Sequence, residues 1–137
     1  MKRALVLFLM VPLLSMTVQN DKAKFIGTWS GEDNNEIGYM NFDPEGYAFF
    51  EIQGQIFGGK EFVIDGETGK MTYEVNAETN PIYVDLVVTK FETGEQKKLL
   101  CIAEFIDGNT MKFAINFQGV RPTEFITNNS IMFKREQ

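Results

Sequence analysis

The chain contains no histidine. That removes Ser-His-Asp and Cys-His nucleophile arrangements and histidine-bearing zinc sites together. Beyond the apolar N-terminal stretch, Ser30 and Ser130 are the only serines, and nothing near either marks it as activated. Carboxylates are plentiful, with 19 Asp and Glu, and a facing pair is the equipment of a glycosidase. Nearly all of them fall in turn-like clusters or on polar faces, where solvation explains them. Asp65-Gly66-Glu67-Thr68-Gly69 has spacing that suits loose Ca²⁺ contact. It lacks the further ligands and closing glutamate of an EF-hand loop, and Asp-Gly between two alternating runs is a hairpin turn. Asn128-Asn129-Ser130 matches a glycosylation acceptor and is read as coincidence. No motif carries a reaction, so the chain is read as a non-enzyme with no metal and no cofactor.

Two carboxylates stand apart. Asp85 alternates to the side opposite Ile82, Val84 and Leu86, which favours a surface position. Glu104 shares a face with Leu100, Ile102 and Ile106, which buries it if that face is internal. A buried carboxylate needs a partner or a raised pKa, and Arg121 is the expected partner. The one cysteine, Cys101, sits in an apolar run and cannot close an internal disulfide. There a free thiol behaves as a small buried hydrophobe.

The elements that must hold these residues are strands. Met71, Tyr73 and Val75 alternate with Thr72, Glu74 and Asn76; Met111, Phe113 and Ile115 alternate with Lys112, Ala114 and Asn116. Ile82, Val84, Leu86 and Val88 oppose Tyr83, Asp85, Val87 and Thr89. Each run reads as a strand with one face in a core. Turn signals at Asp43-Pro44-Glu45-Gly46, Asp65-Gly66, Glu92-Thr93-Gly94 and Asp107-Gly108-Asn109 separate them. The pattern predicts strands near 25–31, 36–42, 46–53, 60–65, 70–76, 82–91, 97–106, 110–117 and 130–135. The fold class is therefore all-β, a small antiparallel up-and-down barrel of about eight or nine strands. The stretch 97–106 is apolar on both faces, so its outer face needs cover or forms an exposed patch. The stretch 117–129 lacks alternation and is suited to supply that cover.

Ahead of this lies an export signal. Lys2 and Arg3 precede the apolar run Ala4 to Leu14, and small or polar residues follow to Gln19. The run is broken by Pro12 and falls short of the ~20 residues that span a membrane. Residues 1–19 are thus expected to be removed and 20–137 to form one domain. No cysteine offers a lipid anchor at its start, so secretion or a periplasmic location without a membrane anchor is expected. The net charge is −6 and becomes −8 without Lys2 and Arg3, which disfavours nucleic acid and anionic membranes as partners.

Gly27 and Trp29 then form a Gly-x-Trp on the first strand. This resembles the signature of lipocalins and their calycin relatives. Further on, "MTYEVNAETNPIYVDL", "IDGNTMKFAI", "GVRPTEF" and "IMFKRE" resemble, in order and spacing, a lipocalin-like domain of secreted bacterial proteins of the planctomycete type. The segment "LCIAEF" departs from the glycine and tyrosine that domain places before its "DG" turn. The resemblance implies that Trp29 closes the barrel floor and that Lys134 or Arg135 packs across its ring. It implies no established activity. The expected function is binding of a small apolar or amphipathic ligand inside the barrel, lined by Phe50, Tyr73, Val84, Leu86, Phe113 and Ile115, with Glu104 and Arg121 as polar members. The alternative is a protein-interaction or inhibitor module with a filled barrel, acting through its outer surface or by self-association, with 97–106 and 117–129 as that surface.

Overall fold

The computed structural model describes residues 22–31 and 37–136; the export signal expected at 1–19 lies outside them. Ten strands follow one another: β1 (Gly27–Gly31), β2 (Ile37–Phe42), β3 (Ala48–Ile52), β4 (Gln55–Gly58), β5 (Phe62–Ile64), β6 (Glu67–Asn76), β7 (Ile82–Lys90), β8 (Gln96–Asp107), β9 (Thr110–Asn116) and β10 (Ser130–Arg135). They form one antiparallel sheet in the order β4-β3-β2-β1-β10-β9-β8-β7-β6-β5. Every pairing but one joins sequence neighbours. The exception is β1 with β10, which brings the first strand beside the last.

The sheet curls into a nearly closed barrel. Tyr47 bridges Thr72, and the Tyr73 amide donates to the Gly46 carbonyl at 3.1 Å. Gly59 joins both sides of the remaining gap: its amide donates to Ala48 O at 2.8 Å, and its carbonyl accepts from Met71 N at 2.9 Å. The short strands β4 and β5, at the two ends of the sheet order, do not pair with each other. A seam therefore runs between them from Gly59 towards the far end.

Ten strands replace the eight or nine expected, because the chain makes an additional hairpin at 48–58. Gln53 and Gly54 both have positive φ, 51° and 84°, as a two-residue type I′ turn requires. Asp65 and Gly66 repeat the device at 51° and 80°, as the Asp-Gly signal predicts. β4 is short, ends in Gly58 and is followed at once by Gly59, so alternation has little length in which to declare itself.

The lumen is packed from one end. Phe25, Trp29, Phe42, Phe113 and Phe133 are all fully buried. Rings bridge the space between strands, with Phe42 at 4.8 Å from Tyr73 and Phe113 at 5.6 Å from Phe133. Among the described residues no helix is long and apolar enough to cross a membrane.

The middle of the outer face of β8 is covered. Ile102 is buried together with its outward neighbour Ala114 on β9. The cover is the stretch 117–129, in which Pro122 is itself buried and Phe125 lies 5.9 Å from Lys112 Nζ. The doubly apolar strand thus has a layer of its own chain outside the barrel wall.

Candidate functional site

The barrel has a closed end and an open end, and Trp29 defines the closed one. Its direct cross-strand partner is Arg135, so the two side chains share a face. The guanidinium carbon sits 4.2 Å from the indole centre. Its nitrogens donate to Ile26 O at 2.6 Å, Lys24 O at 2.8 Å and Gly108 O at 3.3 Å. The indole Nε1 donates to Phe25 O at 2.9 Å. Gly27 completes the arrangement. Its φ is +132°, and a Cβ there would lie 2.9 Å from Arg135 Nη1. A side chain at 27 would collide with the guanidinium, which explains the glycine two residues before the tryptophan. Of the two basic candidates Arg135 fills this role. Lys134 stands opposite Ser30 on the other face of the ladder, because adjacent strand residues point to opposite sides.

At the other end lies a cup of about 290 Å³. Phe50 and Met71 form its floor, Val88 and Leu99 one wall, and Ile52 and Phe57 the opposite wall. Phe62 and Ile64 from β5 and Phe117 from the covering stretch complete the rim. All nine lining side chains are apolar, and the cup has no polar wall. Phe117 is half-exposed and stands 6.3 Å from Phe50.

Charged groups ring the mouth on the same face. Glu67 pairs in register with Ile64, and Lys97 with Val88, so both share the face of a cup-lining residue. Lys90 Nζ lies 3.0 Å from Glu67 Oε2 and 3.4 Å from Glu95 Oε1. Those two carboxylates raise the Lys90 pKa by hydrogen bonding first and by their charge second.

Of the expected lining residues, the structure brings only Phe50 to the cup. Tyr73, Val84, Leu86, Phe113 and Ile115 lie in the packed core, none more than 7 % exposed. Their pattern marked the correct face of each strand but not the height along the barrel. Tyr73 donates its hydroxyl to Asp43 O at 2.9 Å. Burial, reinforced by the Asp43 charge, raises its pKa. The cup residues missed from the sequence lie at strand ends remote from Trp29: Ile52 ends β3, Val88 nears the end of β7, and Leu99 nears the start of β8. Counting strand position away from Gly27-x-Trp29 is the signal that finds them.

Glu104 and Arg121 do not meet, which corrects the expected pair. Arg121 Nη2 lies 2.8 Å from Asp85 Oδ1, as an ion pair rather than an aligned hydrogen bond. Its Nη1 donates to Cys101 O at 3.0 Å, and its guanidinium covers the Tyr83 ring at 4.1 Å. Register gives the reason. Asp85 stands opposite Leu100, whereas Glu104 is four residues further along β8, roughly 13 Å at strand rise. Glu104 is half-buried and faces Lys112 instead. Both Glu104 and Arg121 lie outside the cup; Arg121 fastens the covering stretch to the barrel wall.

Cys101 is fully buried inside the barrel. Burial first, then the nearby Asp85 charge, pushes its thiol far above the ordinary range, against a smaller lowering by Arg121. The thiolate is the reactive form. The native protein is therefore expected to resist a maleimide at pH 8 and to react at once in denaturant. Rapid labelling of the folded protein would show that this strand is open to solvent.

The site thus belongs to an all-β barrel with one plugged end and one apolar cup. Comparison with family models, curated proteins and solved structures found no match for the chain.

Proposed function

We propose that this is an exported binding protein that holds a small apolar or amphipathic molecule in the cup at the open end of the barrel. The observation that carries the reading is the apolar hollow of about 290 Å³ above a packed cluster of described core residues. That volume stands at the small end of ligand pockets. The charged rim of Glu67, Lys90 and Lys97 suits a polar head left in water while an apolar part enters. The N-terminal pattern of Lys2, Arg3 and an apolar run supports export.

An apolar fluorescent probe is expected to brighten on the native protein and to raise its melting temperature. Saturation at a hundred times Kd is worth about 2.7 kcal/mol. Phe62→Lys, which places a charge among the lining residues, is expected to abolish both effects. A native protein that neither brightens the probe nor gains stability from it would end this reading.

A second reading, association through the outer surface, now rests on a different place. Of the outward apolar residues of β8, Ile102 is buried under 117–129 and Ile106 stays 52 % exposed at the strand's end, so β8 presents no continuous patch. The seam does: Ile56 and Val63 are 62 % and 66 % exposed, one on each unpaired end strand, and unpaired strand edges invite another chain. Size-exclusion at rising concentration is expected to show self-association that Val63→Lys removes. A constant monomeric size at all concentrations would dismiss it.

A further inference from the structure

Phe50 and Met71 form the floor of the cup, and Met71 is the more deeply buried of the two. Met71 is buried to 1 % exposure while lining the cup from below. It projects from β6 towards the end of β4, which adjoins β6 where Gly59 O accepts from Met71 N at 2.9 Å. A Cβ built on Gly58 would lie 2.6 Å from Met71 Cε, so the thioether end rests against the bare backbone of Gly58. Register places Met71 opposite Val88, another lining residue. Beneath this level the described side chains are packed. Tyr73, two residues along the same face, is 2 % exposed, and Leu86, Phe42 and Phe113 are wholly buried.

We infer, resting on the binding reading above, that Met71 acts as a ruler that limits the ligand to one short aliphatic chain. A water's share of liquid volume is ~30 Å³, and a methylene occupies nearly as much. A cup of about 290 Å³ therefore holds roughly eight to ten non-hydrogen atoms. Each methylene that enters adds about 0.8 kcal/mol, or about fourfold in affinity. Once the chain end meets the thioether, a further methylene stays at the mouth in water and adds nothing. Truncating Met71 to alanine removes three non-hydrogen atoms beyond Cβ, so the limit moves by about three carbons. The rim charges play no part in this inference, and an uncharged ligand tests it.

The experiment titrates straight-chain 1-alkanols, from hexanol to tetradecanol, against a bound fluorescent probe. In the wild-type protein affinity is expected to climb about fourfold per methylene up to octanol or decanol and then to level or fall. Met71→Ala is expected to move the break about three carbons longer. Leu99→Phe fills the cup from its wall and is expected to move the break two or three carbons shorter. It keeps the inference open to test even where Met71→Ala fails to fold. Affinity rising unbroken to tetradecanol in the wild type would overturn the ruler and leave the cup as a binding site. A break that stays put in folded Met71→Ala would overturn Met71 as its cause. Failure of every alkanol to displace the probe would overturn the binding reading itself.

Discussion

Trp29→Ala is expected to cost about 3–5 kcal/mol of folding stability, the range for emptying a large aromatic from a core. In a domain of this size that lowers the melting temperature by about 12–20 °C. The effect has three sources. The ring is fully buried, it carries the Arg135 guanidinium at 4.2 Å, and it stands 6.0 Å from Phe105. Trp29→Phe keeps much of the volume and loses the hydrogen bond to Phe25 O, so a smaller loss of about 1 kcal/mol is expected. The measurement is thermal or urea unfolding followed by circular dichroism, since the variants lack the chain's single tryptophan. In the wild type that residue reports on its own surroundings: emission should be blue-shifted and insensitive to iodide until unfolding. A red-shifted, readily quenched native emission would contradict the plugged end.

Gly58→Ala is expected to be almost as damaging, for reasons of backbone and space together. The residue has a φ of +114°, and an added Cβ would meet Ala48 O at 2.5 Å, Met71 Cε at 2.6 Å and Phe49 Cα at 2.9 Å. The thioether can swing away; the two backbone atoms cannot. A strained φ costs about 1–2 kcal/mol and overpacking a further 1–3 kcal/mol. Gly54→Ala is the control. Its φ is +84°, but a Cβ there meets nothing within 4 Å, so only the backbone cost applies. Urea midpoints are expected to fall clearly further for Gly58→Ala than for Gly54→Ala. Equal shifts would mean that β4 does not lie against β3 and Met71 as described. Gly58→Ala should also displace Met71 from the cup floor and weaken probe binding.

How far the sequence reached is clearest from single residues. The alternation of Met71-Tyr73 and Val84-Leu86 told which face is inward, because the strand period is short and unambiguous. It did not tell the height of each residue along the barrel, since periodicity carries no absolute position. That is why Tyr73, Val84, Leu86, Phe113 and Ile115 were expected in a cavity and lie in solid core. The pairing of Glu104 with Arg121 failed for a related reason: Arg121 sits in an irregular stretch whose reach depends on register between β7 and β8. Local patterns did not contain that register. By contrast, the choice between Lys134 and Arg135 needed only the parity of β10 against Trp29. The role of 117–129 as an outer layer was legible because β8 is apolar on both faces and demands cover.

The neighbour of β1 on one side is β10, and Arg135 reaches the Ile26 carbonyl 109 residues away in sequence. Most of the sheet is a run of adjacent hairpins, each able to form soon after its two arms exist. The join between first and last strands has no such local route and carries the entropy of closing nearly the whole chain. The tryptophan plug therefore cannot be set until β10 has been made. Until then Phe25 and Trp29 have no lid, and the growing chain is a curled ribbon with an open edge. The six-residue β10 is the step that turns that ribbon into a vessel.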